Sequence, residues 1–272
     1  MRRIIVPTDY SNAAWNAFLY AVELAGHLEG EILLLNAYHE PHGSATTMHM
    51  LDKVMQKDSE KGMEKLLEKI ETTGAAANVT VQGKSVHLGV VDALNSQIKE
   101  HDQQFIVIGS LGETGALEKM IGSTASAVVN KAKCPVFVIP PDATFVHEGR
   151  LVYSVGLNHV PENEDISLLM QLTRLTSLER LDAVHVKDGS KTDAEIRSLV
   201  DSLFKDIPFD VHIISGGDVA DVLAEYVGES KNDLLVLVKK KRGLLHRIFK
   251  ESVIKEITLG AERPLLILKA QQ

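Results

Sequence analysis

Phe105-Ile106-Val107-Ile108-Gly109-Ser110-Leu111-Gly112 is followed, after nine further residues, by Gly122-Ser123-Thr124. The apolar run 105–108 predicts a short buried strand, and 123–132 predicts a helix. Glycine where a strand ends lets backbone N–H groups approach a ligand with no Cβ in the way. A helix N-terminus adds donors and the positive end of the helix dipole, which together favour phosphate. The stretch therefore reads as a phosphate-gripping loop between a strand and a helix.

Working outward, the chain repeats that strand-and-helix alternation. Arg3-Ile4-Ile5-Val6 predicts the first strand, with Pro7-Thr8-Asp9-Tyr10-Ser11 as its turn. Ser11 or Asn12 then caps a helix to about Leu28, whose apolar residues Ala14, Phe18, Ala21, Val22 and Ala25 share one face; Gly30 marks its end. Residues 31–38 predict a second strand, 51–73 a long amphipathic helix, 78–86 a third strand and 90–99 a helix. The strands at 105–108 and 136–139 complete the half. Such alternation implies parallel strands joined by right-handed crossovers, hence an open α/β sheet.

After Pro140-Pro141 the pattern restarts. Strands are expected at 150–153, 181–186, 211–214, 234–238 and 264–268, with helices at 166–175, 194–204 and 219–227 between them. Setting Pro135 against Pro264 pairs Asp92 with Asp221, Leu94 with Leu223 and Ser123 with Ser252 without a gap. A repeat of that length is a duplicated domain rather than a solenoid unit. The expected domains are 1–145 and 146–272. Within the repeat, Gly109, Gly112 and Gly122 face Val238, Lys241 and Glu251, and Pro7-Thr8-Asp9 faces Ser154-Val155-Gly156. The second copy keeps the strand and helix pattern without the glycines or the carboxylate. A ligand in the first copy explains the glycines better than chain geometry does.

Composition narrows the classes. Hydrophobic residues at 44% and charged residues at 24% give ample material for a core. The formal charge of −8 argues against a nucleic-acid-binding surface. No apolar run is long enough to span a membrane. The single cysteine, Cys134, excludes an internal disulfide and fits a reducing, cytoplasmic setting; next to Pro135 and an apolar strand, it reads as a small core residue.

Gly109, Gly112, Gly122 and Ser123 fill the spacing Gly-x2-Gly-x9-Gly-Ser/Thr, and Asp9 follows the first strand. In these features the chain resembles the universal stress proteins of the UspA-like family, as a tandem two-domain member, over essentially its whole length. The resemblance implies two open, mostly parallel five-stranded sheets with helices on both faces, of the adenine nucleotide α-hydrolase-like type, packed as a pseudo-dimer through their fifth strands. It implies an adenine nucleotide, ATP above all, with Mg²⁺ or Mn²⁺. Asp9, flanked by Pro7 and Thr8, matches the position that contacts ribose or adenine, and Ala37 the small residue of the adenine pocket. Ile108, Gly109 and Gly112 match the segment along ribose and phosphates; Gly122, Ser123 and Thr124 match the cradle for the outer phosphates. It further implies a regulatory stress-response role in the cytoplasm, an unidentified protein partner, and a homodimer of such chains. Ligands of open α/β sheets sit beyond the carboxyl ends of the strands, where Asp9, Ala37 and Gly109 all fall. Ser123 also reads simply as a helix N-cap, and Asp9 as a turn residue.

Other motifs carry less. No Gly-Lys-Ser/Thr follows the loop, so it is not a P-loop, and its glycines are misplaced for the dinucleotide fingerprint. Ser215-Gly216-Gly217-Asp218 reads as a strand-to-helix turn. His39, His42 and His49, with Met48 and Met50, match no compact metal spacing and read as a solvated stretch near the pocket. Lys239-Lys240-Lys241-Arg242, with Arg247, reads as a solvated basic run, with a degenerate polyanion site as the sharper alternative. No nucleophile, base or carboxylate pair is placed by a motif. The readings are an ATP-binding regulator, or else a slow ATPase or autokinase, or a nucleotide-independent interaction module.

Overall fold

The computed structural model describes residues 2–38, 45–99, 104–111, 122–145, 149–156, 163–175, 180–187, 189, 191–205, 208–228, 234–239 and 263–269. These form two compact units that meet in sequence between residues 136 and 137.

The first unit runs β1 (Arg2–Pro7), α1 (Asn12–Leu28), β2 (Gly30–Tyr38), α2 (Ala45–Thr73), β3 (Val81–His87), α3 (Val90–Gln97), β4 (Gln104–Gly109) and α4 (Ser123–Lys131), and ends at the head of β5 (Val136–Ile139). Its strands are parallel: Ile5 of β1 lies beside Leu33 of β2 on one side and Ile106 of β4 on the other. The order is β3-β2-β1-β4, and the Ile106 N–H donates to the Pro135 carbonyl at 2.9 Å, which brings the start of β5 beside β4. The chain thus moves outward from β1 to β3, then returns to the far side of β1. The switch point lies between β1 and β4, where such sheets hold ligands. Right-handed crossovers in the two directions place α1 and α2 on one face and α3 and α4 on the other.

The residues explain these elements. Ile4, Ile5 and Val6 of β1 and Phe105 through Ile108 of β4 are buried, as central parallel strands covered on both faces must be. Helix α1 starts where Ser11 Oγ accepts the Ala14 N–H at 3.2 Å and buries Ala14, Ala17, Phe18, Ala21, Leu24, Ala25 and Leu28 along one stripe. Its end differs from the sequence expectation. Glu29, at φ 51°, takes the left-handed cap position, while Gly30 opens β2, where a Cβ would come within 3.3 Å of the Arg2 carbonyl. Helix α2 also starts earlier than expected, at Ala45 rather than Leu51.

The second unit repeats the plan with β6 (Arg150–Ser154), α5 (Asn163–Leu175), β7 (Arg180–Lys187), α6 (Asp193–Leu203), β8 (Phe209–Ser215), α7 (Val219–Val227), β9 (Leu234–Lys239) and β10 (Leu265–Lys269). Its order, β8-β7-β6-β9-β10, is the same switched order, again parallel. Backbone detail is duplicated as well. The Thr8 N–H donates to Leu35 O at 2.9 Å in one unit, and the Val155 N–H to Val184 O at 2.8 Å in the other. Asn36 Nδ2 donates to Thr8 O at 2.6 Å; His185 Nδ1 lies 3.0 Å from Val155 O. Asp9 therefore corresponds to Gly156 in space. Cys134 is buried, a core residue in the first unit. Among the described residues no helix is long and apolar enough to cross a membrane.

Candidate functional site

Beyond the carboxyl ends of β1, β2 and β4 the first unit has a pocket of about 170 Å³. Pro7, Thr8 and Asp9 approach from β1, Leu35, Asn36 and Ala37 from β2, and Ile108, Gly109, Ser110 and Leu111 from β4. Ala14 of α1, Val90 of α3 and Gly122, Ser123, Thr124 and Ala125 at the start of α4 close it. Pro7, Thr8, Asp9, Ala37, Ile108, Gly109, Gly122, Ser123 and Thr124, all singled out in the sequence, thus line one cavity. Gly112 lies outside the described residues.

The phosphate-gripping end takes a specific form. The Gly122 N–H donates to Ser110 O at 2.7 Å, which ties the end of β4 to the start of α4. Gly122 itself is the N-cap, at φ −58°, and no side chain caps the helix. Ser123 is the first helical residue rather than the cap, with its side chain exposed. Because Gly122 spends its N–H on Ser110, the remaining first-turn donors are the N–H groups of Ser123, Thr124 and Ala125, which precede the first intrahelical bond, from the Ser126 N–H to Gly122 O. These three residues all face the pocket, so the positive end of α4 opens into it.

Gly109 carries a second duty that the repeat comparison did not reveal. A Cβ there would sit 3.1 Å from the Ala13 carbonyl oxygen and 3.3 Å from its carbon. Its missing side chain lets the first turn of α1 pack against the end of β4. Contrary to the expectation from the repeat, chain geometry itself favours glycine at position 109.

The opposite wall is held by a polar relay. Asn36, buried, gives Nδ2 to the Thr8 carbonyl at 2.6 Å and accepts Ser59 Oγ from α2 at 2.6 Å through Oδ1. Tyr10 donates its hydroxyl to the Ser59 carbonyl at 2.7 Å, and its N–H to Thr8 Oγ1 at 3.0 Å. Its ring occupies the space left by Gly62, whose Cβ would stand 2.5 Å from that ring. Tyr10 adopts φ 66°, an uncommon backbone state for an aromatic residue that persists only where its surroundings fix it. Ser11 N–H meets Asp9 Oδ1 at 3.1 Å, leaving an exposed carboxylate on a tightly held turn. Ala14, Leu35, Asn36, Val90, Ser110, Leu111 and Ala125 line the pocket beyond the residues that the sequence singles out. The readable signal was an amide side chain within an otherwise apolar strand, beside Ala37.

That relay gives a prediction. Asn36→Ala leaves the Thr8 carbonyl and the Ser59 hydroxyl without their buried partner, at a cost of about 1–3 kcal/mol. Urea denaturation should show the midpoint falling with an unchanged slope; an unchanged midpoint would show the relay to be energetically silent.

Elsewhere, Asp182, fully buried, receives the Tyr226 hydroxyl at 2.8 Å and Arg150 Nη1 at 3.3 Å on Oδ2, with His212 Nε2 3.8 Å from Oδ1. Asp210 joins them, its carboxylate, that of Asp182 and the His212 ring lying within 4.8 Å of one another. A guanidinium already faces the buried carboxylate, and the Tyr226 hydroxyl ties α7 to β7 through it. His49 lies in α2; His39 and His42 fall outside the described residues.

The fold and pocket define an open α/β protein built from a duplicated unit. The family model for universal stress proteins matches residues 1–140, and the chain belongs to that family. Universal stress protein YxiE of Bacillus subtilis is 26% identical over 147 residues, half of this chain and 97% of its own. A universal stress protein of Methanocaldococcus jannaschii is 22% identical over 139 residues, 51% of this chain and 81% of its own. In structure, a universal stress protein from Archaeoglobus fulgidus covers 99% of this chain and 97% of its own, with a TM-score of 0.73 at 18% identity. That likeness extends the family's fold to the second unit, which the family model does not reach.

Proposed function

We propose that the first unit binds an adenine nucleotide, ATP in preference, and that the protein acts as a nucleotide-dependent regulator rather than a catalyst. The observation that carries this reading is the convergence of Asp9, Gly109 and the three first-turn amides of α4 on one pocket at the switch point. Asp9 offers acceptors to ribose or base hydroxyl and amino groups. Ile108, Leu35 and Val90 supply apolar walls for a base, and the amides of Ser123, Thr124 and Ala125 meet the phosphates. Mg²⁺ or Mn²⁺ would be held chiefly by those phosphates and water, since Asp9 is the one carboxylate among the described lining residues.

The same residues favour binding over turnover. The described lining contains no His, Lys, Arg or Glu, so it offers no cation for the transferred phosphoryl group, and its one carboxylate, Asp9, already accepts the Ser11 N–H. Occupancy would instead change the surface around α4 that a partner protein reads. The experiment is a thermal shift with ATP, ADP and AMP, alongside mass spectrometry of nucleotide that co-purifies with the folded chain. At a hundredfold excess over the dissociation constant, ATP should stabilise the protein by about 2.7 kcal/mol. The absence of both a shift and a co-purifying nucleotide would overturn the reading in favour of a nucleotide-independent module. Labelled phosphate released from ATP, and abolished by blocking the pocket, would favour the ATPase.

A further inference from the structure

Asp9 sits between two residues that different elements fix. Thr8 is held by β2: its N–H donates to Leu35 O at 2.9 Å, and its carbonyl accepts Asn36 Nδ2 at 2.6 Å. Tyr10 is held by α2. Its hydroxyl donates to the carbonyl of buried Ser59 at 2.7 Å, and its ring lies against Gly62 of the same helix. Tyr10 is not among the described residues that line the pocket.

The tyrosine occupies a built notch. A Cβ at residue 62 would come 2.5 Å from Tyr10 Cε2, a separation that real Cβ atoms do not show. Tyr10 also adopts φ 66°, a backbone state that an aromatic residue leaves unless several contacts together fix it. Those contacts are the hydroxyl bond, the notch, and the bond from its own N–H to Thr8 Oγ1 at 3.0 Å. Burial alone does not account for the strain, since the residue is 37% exposed. Strain of this kind gathers at ligand clamps, and the group held here is the exposed Asp9, whose Oδ1 meets the Ser11 N–H at 3.1 Å. The second unit supplies the contrast. Gly156 stands there for Asp9, and the next residue is Leu157, which has no hydroxyl to offer a helix carbonyl. The carboxylate and its tyrosine are lost together.

We propose that Tyr10 is a positioning residue: docked between Ser59 and Gly62 of α2, it fixes the turn so that Asp9 meets the nucleoside end of the ligand in a preformed geometry. The inference rests on the nucleotide reading above and adds to it the device that orients the carboxylate. A group held before the ligand arrives loses less freedom on binding. Helix α2 thereby contributes to the affinity of the pocket, though none of the described lining residues belongs to it.

The test is a double-mutant cycle on the full chain, with ATP affinity measured by calorimetry. Tyr10→Phe keeps the ring and removes only the hydroxyl bond; Gly62→Ala fills the notch from α2 and leaves the tyrosine intact. Each should weaken ATP binding about fivefold or more, and neither should weaken it further once Asp9→Asn is present. A loss of equal size in the Asp9→Asn background would make Tyr10 a structural residue acting on the whole pocket, and would overturn the proposal. So would undiminished ATP affinity in either variant. Amide exchange at residues 10 and 11, followed by NMR without nucleotide, supplies a second readout. It should quicken about fivefold or more in both variants; an unchanged rate would show that the turn needs no such hold, and would equally overturn the positioning role. An unsubstituted chain that does not bind ATP would overturn the nucleotide reading itself, whereas ATP binding with no coupling between residues 9 and 10 would overturn the positioning role alone.

Discussion

Gly122→Glu should abolish nucleotide binding to the first unit, with at least a hundredfold rise in the dissociation constant, while leaving the protein folded. Residue 122 caps α4 at φ −58°, a backbone state open to any residue, so glutamate meets no conformational barrier there. A carboxylate at a helix N-terminus is also favourable for the helix. The same carboxylate would lie among the amides of Ser123, Thr124 and Ala125 and present negative charge to an incoming phosphate. Two unit charges about 4 Å apart near a protein surface repel by about 4 kcal/mol, and screening by salt still leaves a loss of two orders of magnitude. Calorimetric titration with ATP, paired with circular dichroism, measures both halves of the claim. Undiminished ATP affinity in a folded variant would remove α4 from the site. The second unit already carries the equivalent residue, Glu251.

Gly109→Val should act differently, on stability as well as on binding. The added Cβ falls 3.1 Å from the Ala13 carbonyl oxygen, a backbone atom that cannot swing aside, and the two γ-carbons add to the crowding. Relief requires the N-terminal turn of α1 to shift, at about 1–3 kcal/mol, or roughly 4–8 °C in melting temperature for a loss near 2 kcal/mol. Ala14, in that same turn, lines the pocket, so ATP affinity should fall with stability. Val238→Gly in the second unit is the control. It should cost stability by deleting a buried side chain, and leave ATP binding to the first unit unchanged. If Gly109→Val lowers affinity with no change in melting temperature, the glycine serves the ligand alone.

The contrast between these two glycines shows how far the sequence reached. Both were visible as members of one spaced motif, and the second copy served as an internal comparison. Loss of both glycines in the second copy favours a ligand over chain geometry as their explanation. The second copy could not show that the Ala13 carbonyl crowds residue 109 in the first unit, because that contact joins residues nearly a hundred positions apart. Ser123 likewise looked like a cap from its type alone. The cap position depends on where the chain turns into the helix, and the bond from Gly122 to Ser110 sets that turn. Glu29, rather than Gly30, took the left-handed end of α1 for a similar reason: close approach to Arg2 reserved the glycine for the strand.

The sequence by itself determined the alternation of strands and helices, the duplication, and the residue types available at Asp9 and from Gly109 to Thr124. Those are local properties, set by side-chain periodicity, by glycine at strand ends and by residue types in turns. Only the tertiary structure decided that β4 returns to lie beside β1, which brings Asp9 and Gly109 to one pocket from positions far apart in the chain. It alone placed Asn36 and Ser59 behind that pocket and set Tyr10 against Gly62. Strand order and register are fixed by which buried surfaces pack together, a long-range energy that no short stretch of residues encodes.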